Sequence, residues 1–330
     1  MNERVTMSGK PVFTVPAKTV INFKSHFDKK LLCDGMTFTA GSACAYSCSF
    51  CYVDSMMTKQ RKWLEDHGVT GDHMSHVVRR ENPVEIACKQ ILSKPEAFRQ
   101  KYQVIYASPL VDVAANMELV RETVEICKVI LELTNWDIRL LSKSNLLPKV
   151  AQALDEWAEW EHGAVFPKDR IIYGVSTGTL DDKLAAAFEQ GTAKVSKRIE
   201  SLHWLQDNGY RTFGMICPSL PQQDYQKFSS DMAQAIRADR CEHVWAEPIN
   251  VRGDSFTNTE KALGDAGFQR EAAALNRVSN DKRAWEIYAR NTFEAHAPLY
   301  KNGQLRFLQY VNKDNQAYWR DNESRGAVLL

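Results

Sequence analysis

The sequence predicts an α/β protein: a curved, partial (β/α)6 barrel followed by a helix-rich C-terminal extension. Three observations carry that prediction. Six apolar, strand-like runs recur between residues 36 and 248, and most are trailed by an amphipathic helical segment. Such an order builds a parallel sheet with right-handed crossovers. Six units are too few to close an eight-unit barrel. Finally, polar and reactive side chains fall at the carboxyl ends of these runs, the end at which parallel α/β sheets place their ligands. A doubly wound open sheet is the competing architecture.

Taken in order, residues 1–32 show no strong period. Pro11, Pro16 and a basic run of Lys24, Lys29 and Lys30 suggest an extended arm, to which no chemistry is assigned. The alternation in Met36-Thr-Phe-Thr predicts the first strand, and the barrel is expected to occupy residues 33–250. Residues 55–100 are charged and read as helical, with Pro83 suited to the first turn of a helix running through Ile91. The run from Gln103 to Ser108 predicts a strand with a helix near 116–134, and Trp136 to Ser142 a strand with a helix near 145–158. Arg170 to Ser176 precedes a helix near 193–207, Arg211 to Cys217 one near 223–237, and His243 to Pro248 is the sixth strand. Beyond Asn250 the pattern changes to a loop, a helix-rich stretch near 268–297 and an aromatic tail. This extension, 251–330, is expected to cover the open side of the barrel.

Composition narrows the function classes. The 330 residues are 44% hydrophobic and 25% charged, with 42 Lys plus Arg against 41 Asp plus Glu, a net charge of +1. No global field draws the chain to a polyanion, so any such contact must be a local patch. Nothing approaches the roughly 20 consecutive apolar residues of a membrane span, and the polar start lacks a secretory signal. A cytoplasmic location is expected. Cys33, Cys88, Cys127, Cys217 and Cys241 are scattered singly, unlike a disulfide scaffold, and fit a reducing compartment.

The remaining cysteines are concentrated. Cys44, Cys48 and Cys51 lie within eight residues, directly after the first strand, in Gly41-Ser-Ala-Cys44-Ala-Tyr-Ser-Cys48-Ser-Phe50-Cys51-Tyr52. Three thiolates at this spacing suit a [4Fe-4S] cluster and leave one iron open. Structural zinc needs four ligands and usually a second paired hook, which is missing here, and His26, His67, His73 and His76 have no zinc-finger spacing. Three inert core thiols are the other alternative, but Ser and Tyr between them fit a core strand poorly.

The Cys-x3-Cys-x2-Cys spacing with Phe50 before the last cysteine resembles the signature of the radical S-adenosylmethionine superfamily. That resemblance implies a partial barrel of the same type, a [4Fe-4S] cluster on Cys44, Cys48 and Cys51, and S-adenosyl-L-methionine as cosubstrate with Phe50 against its adenine. It also implies an external one-electron donor of the flavodoxin or ferredoxin type. Further stretches, Asn82-Pro-Val-Glu, Leu141-Ser-Lys143-Ser, Gly174-Val-Ser176 leading to Phe188-Glu189, Lys197-Arg198-Ile-Glu-Ser-Leu and Cys217-Pro218-Ser-Leu-Pro221, resemble the branch containing spore photoproduct lyase and its DNA-repair-photolyase-like relatives. Carried over, Lys143 resembles the lysine that holds the cosubstrate carboxylate, Ser176 a serine near its methionyl or ribose part, and Ser108 a polar contact at the second strand. Tyr52 matches a tyrosine that assists hydrogen return.

One departure stands out. The lyase carries a hydrogen-donating cysteine at the second strand, where this chain has Tyr106-Ala-Ser108-Pro. Cys217, at another strand end, is either the substitute donor or a core thiol. Glu247 and Arg252 are candidates for substrate or ribose contact, or for a structural ion pair. A nucleic-acid substrate, as in DNA lesion repair or base modification, requires a local basic surface. Its candidates are Lys59, Arg61, Lys62 and Trp63, the pair Arg79-Arg80, and Lys194, Lys197 and Arg198, each also readable as a solvated helix face. A peptide or metabolite modifier is the rival enzyme, and a metal-stabilised nucleic-acid-binding module the rival of another class.

Overall fold

The computed structural model describes residues 6–7, 9–53, 55, 60–71, 74–107, 109–162, 168–249 and 253–330. Eight parallel strands make its central sheet: β1 (Met36–Phe38), β2 (Val104–Ala107), β3 (Asp137–Ser142), β4 (Ile171–Ser176), β5 (Arg211–Ser219), β6 (Val244–Pro248), β7 (Leu305–Gln309) and β8 (Ala327–Leu329). They lie side by side in chain order, and a short strand, Ile21–Asn22, adds antiparallel to β1 at one edge. A doubly wound sheet reverses its strand order about the first strand. No reversal occurs here, so the sheet is wound in one direction only.

The first six strands lie where the alternation predicts them. β4 is buried along all six of its residues, as expected for a strand covered on both faces. One face carries Ile105, Ala107, Tyr173, Val175, Val244, Ala246 and Phe307 into the main core beneath the helices. Successive side chains alternate across a strand, so Tyr106, Ile172, Trp245 and Leu308 face the other way, into a second core with Leu32 and Cys33. That second face is therefore covered by the segment before β1, not by helices.

The helices follow from the same patterning. α1 (Met117–Leu133) is capped by Asn116, which accepts from the amides of Glu118 and Leu119, and its buried stripe runs through Leu119, Thr123, Ile126 and Ile130. After it come α2 (Leu147–His162), α3 (Asp182–Phe188), α4 (Val195–Asp207) and α5 (Tyr225–Ala235). The sequence pattern does not announce α3, whose seven residues make fewer than two turns.

Two expectations are corrected. Residues 55–100 are not simply helical: Val77–Arg80 is a strand, joined to Gly41–Ala43 on one side and to Lys10–Val15 of the arm on the other, in a separate small sheet. The tail does more than cover the sheet. Its helices α6 (Ser255–Asp265), α7 (Gln269–Asn280) and α8 (Lys282–His296) pack a satellite core with Phe188 and Phe50, but β7 and β8 then extend the central sheet beyond the six expected strands. β7 and β8 lie in the aromatic tail, outside the run of alternating strand-like and helical segments that marks the first six. Among the described residues, no helix is long and apolar enough to cross a membrane.

Candidate active site

The cysteine loop is held at both ends by backbone pairing. Gly41–Ala43 delivers Cys44 from the small sheet, and Gly41 is required there because a side chain would meet the carbonyl oxygen of Val78 at 2.6 Å. Cys48 pairs antiparallel with Glu189, and the Cys51 amide closes a turn onto the Cys48 carbonyl at 3.0 Å. Ser49 donates to the carbonyl of Phe188 at 3.2 Å and to Thr259 at 3.1 Å, which ties the loop to α3 and α6.

Cys44, Cys48 and Cys51 line one cavity of about 150 Å³ with Phe50, Tyr52, Asp112, Lys143 and Ser176. The structure thus brings together every described residue carried over for the cosubstrate except Glu247. Ser108 lies outside the described residues. Burial pushes the Cys44 thiol up to about 12 and raises Cys48 well above its ordinary range, with the neighbouring cysteines adding to both. Bare thiolates are therefore disfavoured, and bound cationic metal reverses that penalty.

Three cysteines on the wall of one cavity are a donor set that an iron–sulfur cluster accepts. Among the described residues, no group of three His, Cys, Asp or Glu forms a site for one metal ion. In a cubane each thiolate binds a different iron, so three sulfurs can share a wall without converging on a point. Asp112 is the only carboxylate lining this cavity among the described residues. Its oxygens are taken by Ser142 Oγ and the amide of Lys143, each at 2.7 Å, and by the amide of Ala114 at 2.9 Å. In turn the Asp112 amide points to the Cys44 sulfur at 3.5 Å. Asp112 thus braces the loop after β3 against the cysteines, a role that nothing in the local sequence suggested.

Lys143 leaves the carboxyl end of β3 and reaches across β4. Its Nζ donates to Ser176 Oγ at 2.9 Å, Glu189 Oε1 at 2.6 Å and the Cys217 carbonyl at 3.1 Å, and lies 5.2 Å from the centre of the Phe50 ring. Glu189 is fully buried and also meets Arg198, likewise fully buried, at 2.6 Å. Two cations thus share one carboxylate, and Asp112, close enough to Arg198 to feel its charge, is the second acid of this group. Arg198 was read as a surface cation; here it is a buried partner, because its guanidinium turns inward to Glu189 and the Ser176 carbonyl.

Glu247 ends β6, but its cation is Lys30, at 3.0 Å, from the arm given no chemistry. Arg252, the partner considered from sequence, lies outside the described residues. Cys217 donates to Glu247 Oε2 at 3.7 Å. Burial first, then Glu247, raise its thiol well above the ordinary range. Tyr52 donates to the Pro109 carbonyl at 3.0 Å. It lines both the cysteine cavity and a larger one of about 440 Å³, whose wall includes Lys24, Phe27, Lys29, Lys30 and Tyr310.

The basic surfaces are mostly spoken for. Arg79 pairs with Glu118 and with Glu122 at 2.8 Å, Arg80 donates to the carbonyls of Thr19 and Thr39, and Lys197 pairs with Glu200. Arg61, Lys62 and Trp63 are exposed on the helix Arg61–Asp66, and Lys194 is exposed, whereas Lys59 lies outside the described residues.

No family model matches this sequence, and no curated protein does. Solved structures do match. A point mutant of spore photoproduct lyase superposes with a TM-score of 0.54, and the lyase complexed with dinucleoside spore photoproduct with 0.51, each at 12% identity over 77% of this chain and 66% of the other. The match spans just under two thirds of the lyase. At that identity the likeness is one of fold. The chain is thus similar in fold to spore photoproduct lyase, a member of the branch of the radical S-adenosylmethionine superfamily that its cysteine loop and strand-end motifs resemble.

Proposed function

We propose that the protein is a radical S-adenosylmethionine enzyme acting on nucleic acid, in lesion repair or base modification. The observation that carries the reading is one cavity at the carboxyl ends of the strands that gathers the three cysteines, Phe50, Lys143 and Ser176. A reduced [4Fe-4S] cluster bound there would supply one-electron cleavage of S-adenosylmethionine to methionine and a 5'-deoxyadenosyl radical able to take hydrogen from substrate. Cys44, Cys48 and Cys51 hold the cluster. An external donor of the flavodoxin or ferredoxin type supplies the electron.

The chain's own groups bind and orient. Lys143, held at the cavity wall by Glu189 and Ser176, meets the cosubstrate carboxylate in a charge-assisted hydrogen bond. Phe50 offers its ring to the adenine, and Ser176 and Ser108 are the polar contacts for the remainder; Glu247, outside this cavity and paired with Lys30, is not among them. The phenol of Tyr52, which lines both cavities, is the hydrogen source for the product radical, whereas Cys217 packs against the second core and lines neither cavity. The larger cavity sharing Tyr52 is the substrate entrance, and its lysines suit phosphate. Spore photoproduct lyase, similar in fold, has been solved with a dinucleoside lesion.

The volume of that cavity, about 440 Å³, also suits a compact metabolite, which is the second reading. Anaerobic, reduced, cluster-loaded protein incubated with S-adenosylmethionine is expected to form 5'-deoxyadenosine and methionine. Stimulation by ultraviolet-damaged DNA supports the first reading. A fully loaded protein that forms neither product refutes the enzyme.

A further inference from the structure

A third cavity lies at the opposite end of the sheet. About 550 Å³ in volume, it is lined by residues at the amino ends of the strands, among them Arg139 of β3, His243 just before β6 and Arg306 of β7. Nothing in the cosubstrate chemistry uses it.

Two of its three guanidiniums, those of Arg139 and Arg306, lack the partners that buried cations ordinarily have, whereas Arg211 pairs with Asp137 and Glu242. Arg139 is 5% exposed and spends its hydrogen bonds on carbonyls, those of Leu32 at 2.5 Å and Leu31 at 3.5 Å, while its Nε is buried without an acceptor. Arg306 donates to the same Leu31 carbonyl and to His243 Nε2 at 2.8 Å. Both guanidiniums approach the one Trp245 ring, at 5.0 and 4.8 Å from its centre. Neither meets a carboxylate within ion-pair distance among the described residues. The acids on the cavity wall are otherwise engaged: Glu242 is held by Arg211 at 2.5 Å, Asp34 accepts from the Val104 amide and Asp28 from the Lys29 amide.

His243 adds a third donor. A guanidinium only donates, so the His243 Nε2 facing it is the acceptor, and the neutral ring must carry its proton on Nδ1. That Nδ1 is buried and unpartnered. Burial and the two arginines push the imidazole down to about 4, which keeps it neutral. Burial, then Arg139, likewise depress Arg306 to about 10. Arg139 and Arg306, two like charges with no carboxylate at ion-pair distance and only Glu242 as a nearby opposite charge, are costly side by side unless an anion joins them.

We infer that this basal cavity is an oxyanion site, in which Arg139, Arg306 and His243 bind a phosphate or the phosphoryl end of a larger ligand. A planar guanidinium fork matches phosphate oxygens in pairs. The anion would join β3, β6 and β7 to the segment carrying Leu31, on the far side of the sheet from the cysteines.

The test uses the full chain, and loading with iron is not required. Inorganic phosphate, titrated at constant ionic strength against chloride, is expected to raise the thermal midpoint saturably, by about 2 °C at ten times its dissociation constant. Calorimetry should give one site per chain. Glycerol 2-phosphate in a parallel titration distinguishes free phosphate from a phosphate monoester as the tighter ligand. Arg306→Gln is expected to weaken phosphate at least tenfold. If that variant does not fold, Arg306→Lys, which keeps the charge but loses the fork, should weaken it several-fold. Equal responses to phosphate and chloride in the unaltered protein, or unchanged phosphate affinity in a folded Arg306 variant, would overturn the inference. Either failure leaves the radical chemistry untouched, since that is read from 5'-deoxyadenosine.

Discussion

The least replaceable side chain near the cysteines is one that touches no proposed ligand. Glu189 is fully buried between Lys143 and Arg198 and pairs through its backbone with Cys48, so one residue positions both the lysine and the loop. Glu189→Gln leaves two buried cations without a counter-charge, and breaking such a pair costs about 3–5 kcal/mol. Urea denaturation should show that loss, and an unaltered midpoint would contradict the role. Lys143→Ala, in contrast, leaves Glu189 paired to Arg198. It should spare most of the stability while weakening S-adenosylmethionine binding to loaded protein by roughly ten- to a hundredfold, the worth of a charged hydrogen bond. A distant residue sets a pH limit. His296 is fully buried, with Nδ1 at 3.2 Å from Tyr300 Oη, and burial lowers its pKa from 6.5 to about 4. The unfolded chain binds this proton more readily than the folded one. Stability from this group is therefore complete above about pH 6.5 and is lost as pH falls toward 4, by roughly 3 kcal/mol in all. His296→Phe should flatten that part of the stability profile, and an unchanged acid slope would exclude the assignment.

Among the elements, β4 and β5 carry the closest tolerance. A methyl group on Gly174 would meet the Phe213 ring at 2.2 Å, so β4 has room for hydrogen only where the β5 aromatic crosses it. Gly174→Ala is expected to cost about 1–3 kcal/mol by overpacking, read as a lower denaturation midpoint. Restoration in the double variant Gly174→Ala with Phe213→Leu would attribute the loss to that contact. The same strand ends at Ser176, two residues on, so the strain would reach the Lys143 hydrogen bond. Strand positions were legible in sequence because alternation is local. The glycine's reason was not, since it depends on which residue of the neighbouring strand lies opposite, and here Gly174 pairs with Phe213 itself.

At the scale of the molecule, the sheet is sealed by pieces from both ends of the described chain. The segment through Leu32 and Cys33 covers one face, and β7 and β8 continue the sheet past β6, with Phe307 and Trp319 stacked 5.7 Å apart in the core. Removing residues 300–330 would bare the edge of β6 and uncover Phe293, so the shortened chain is expected to aggregate or remain unfolded in circular dichroism and gel filtration. A folded, monodisperse product would instead make the tail a dispensable cover. The sequence by itself determined the α/β order, the six principal strands, the three-cysteine loop and the strand-end placement of Lys143, Ser176 and Glu247. All of these are written in neighbouring residues, as a period or a spacing. Only the tertiary structure decided that Lys30 answers Glu247 across 217 residues, that Arg198 turns inward to Glu189, that Asp112 braces the cysteines, and that two cationic side chains share Trp245. The physical reason is that the partner of a charge is chosen by strand order and register, which bring together residues that no local pattern connects.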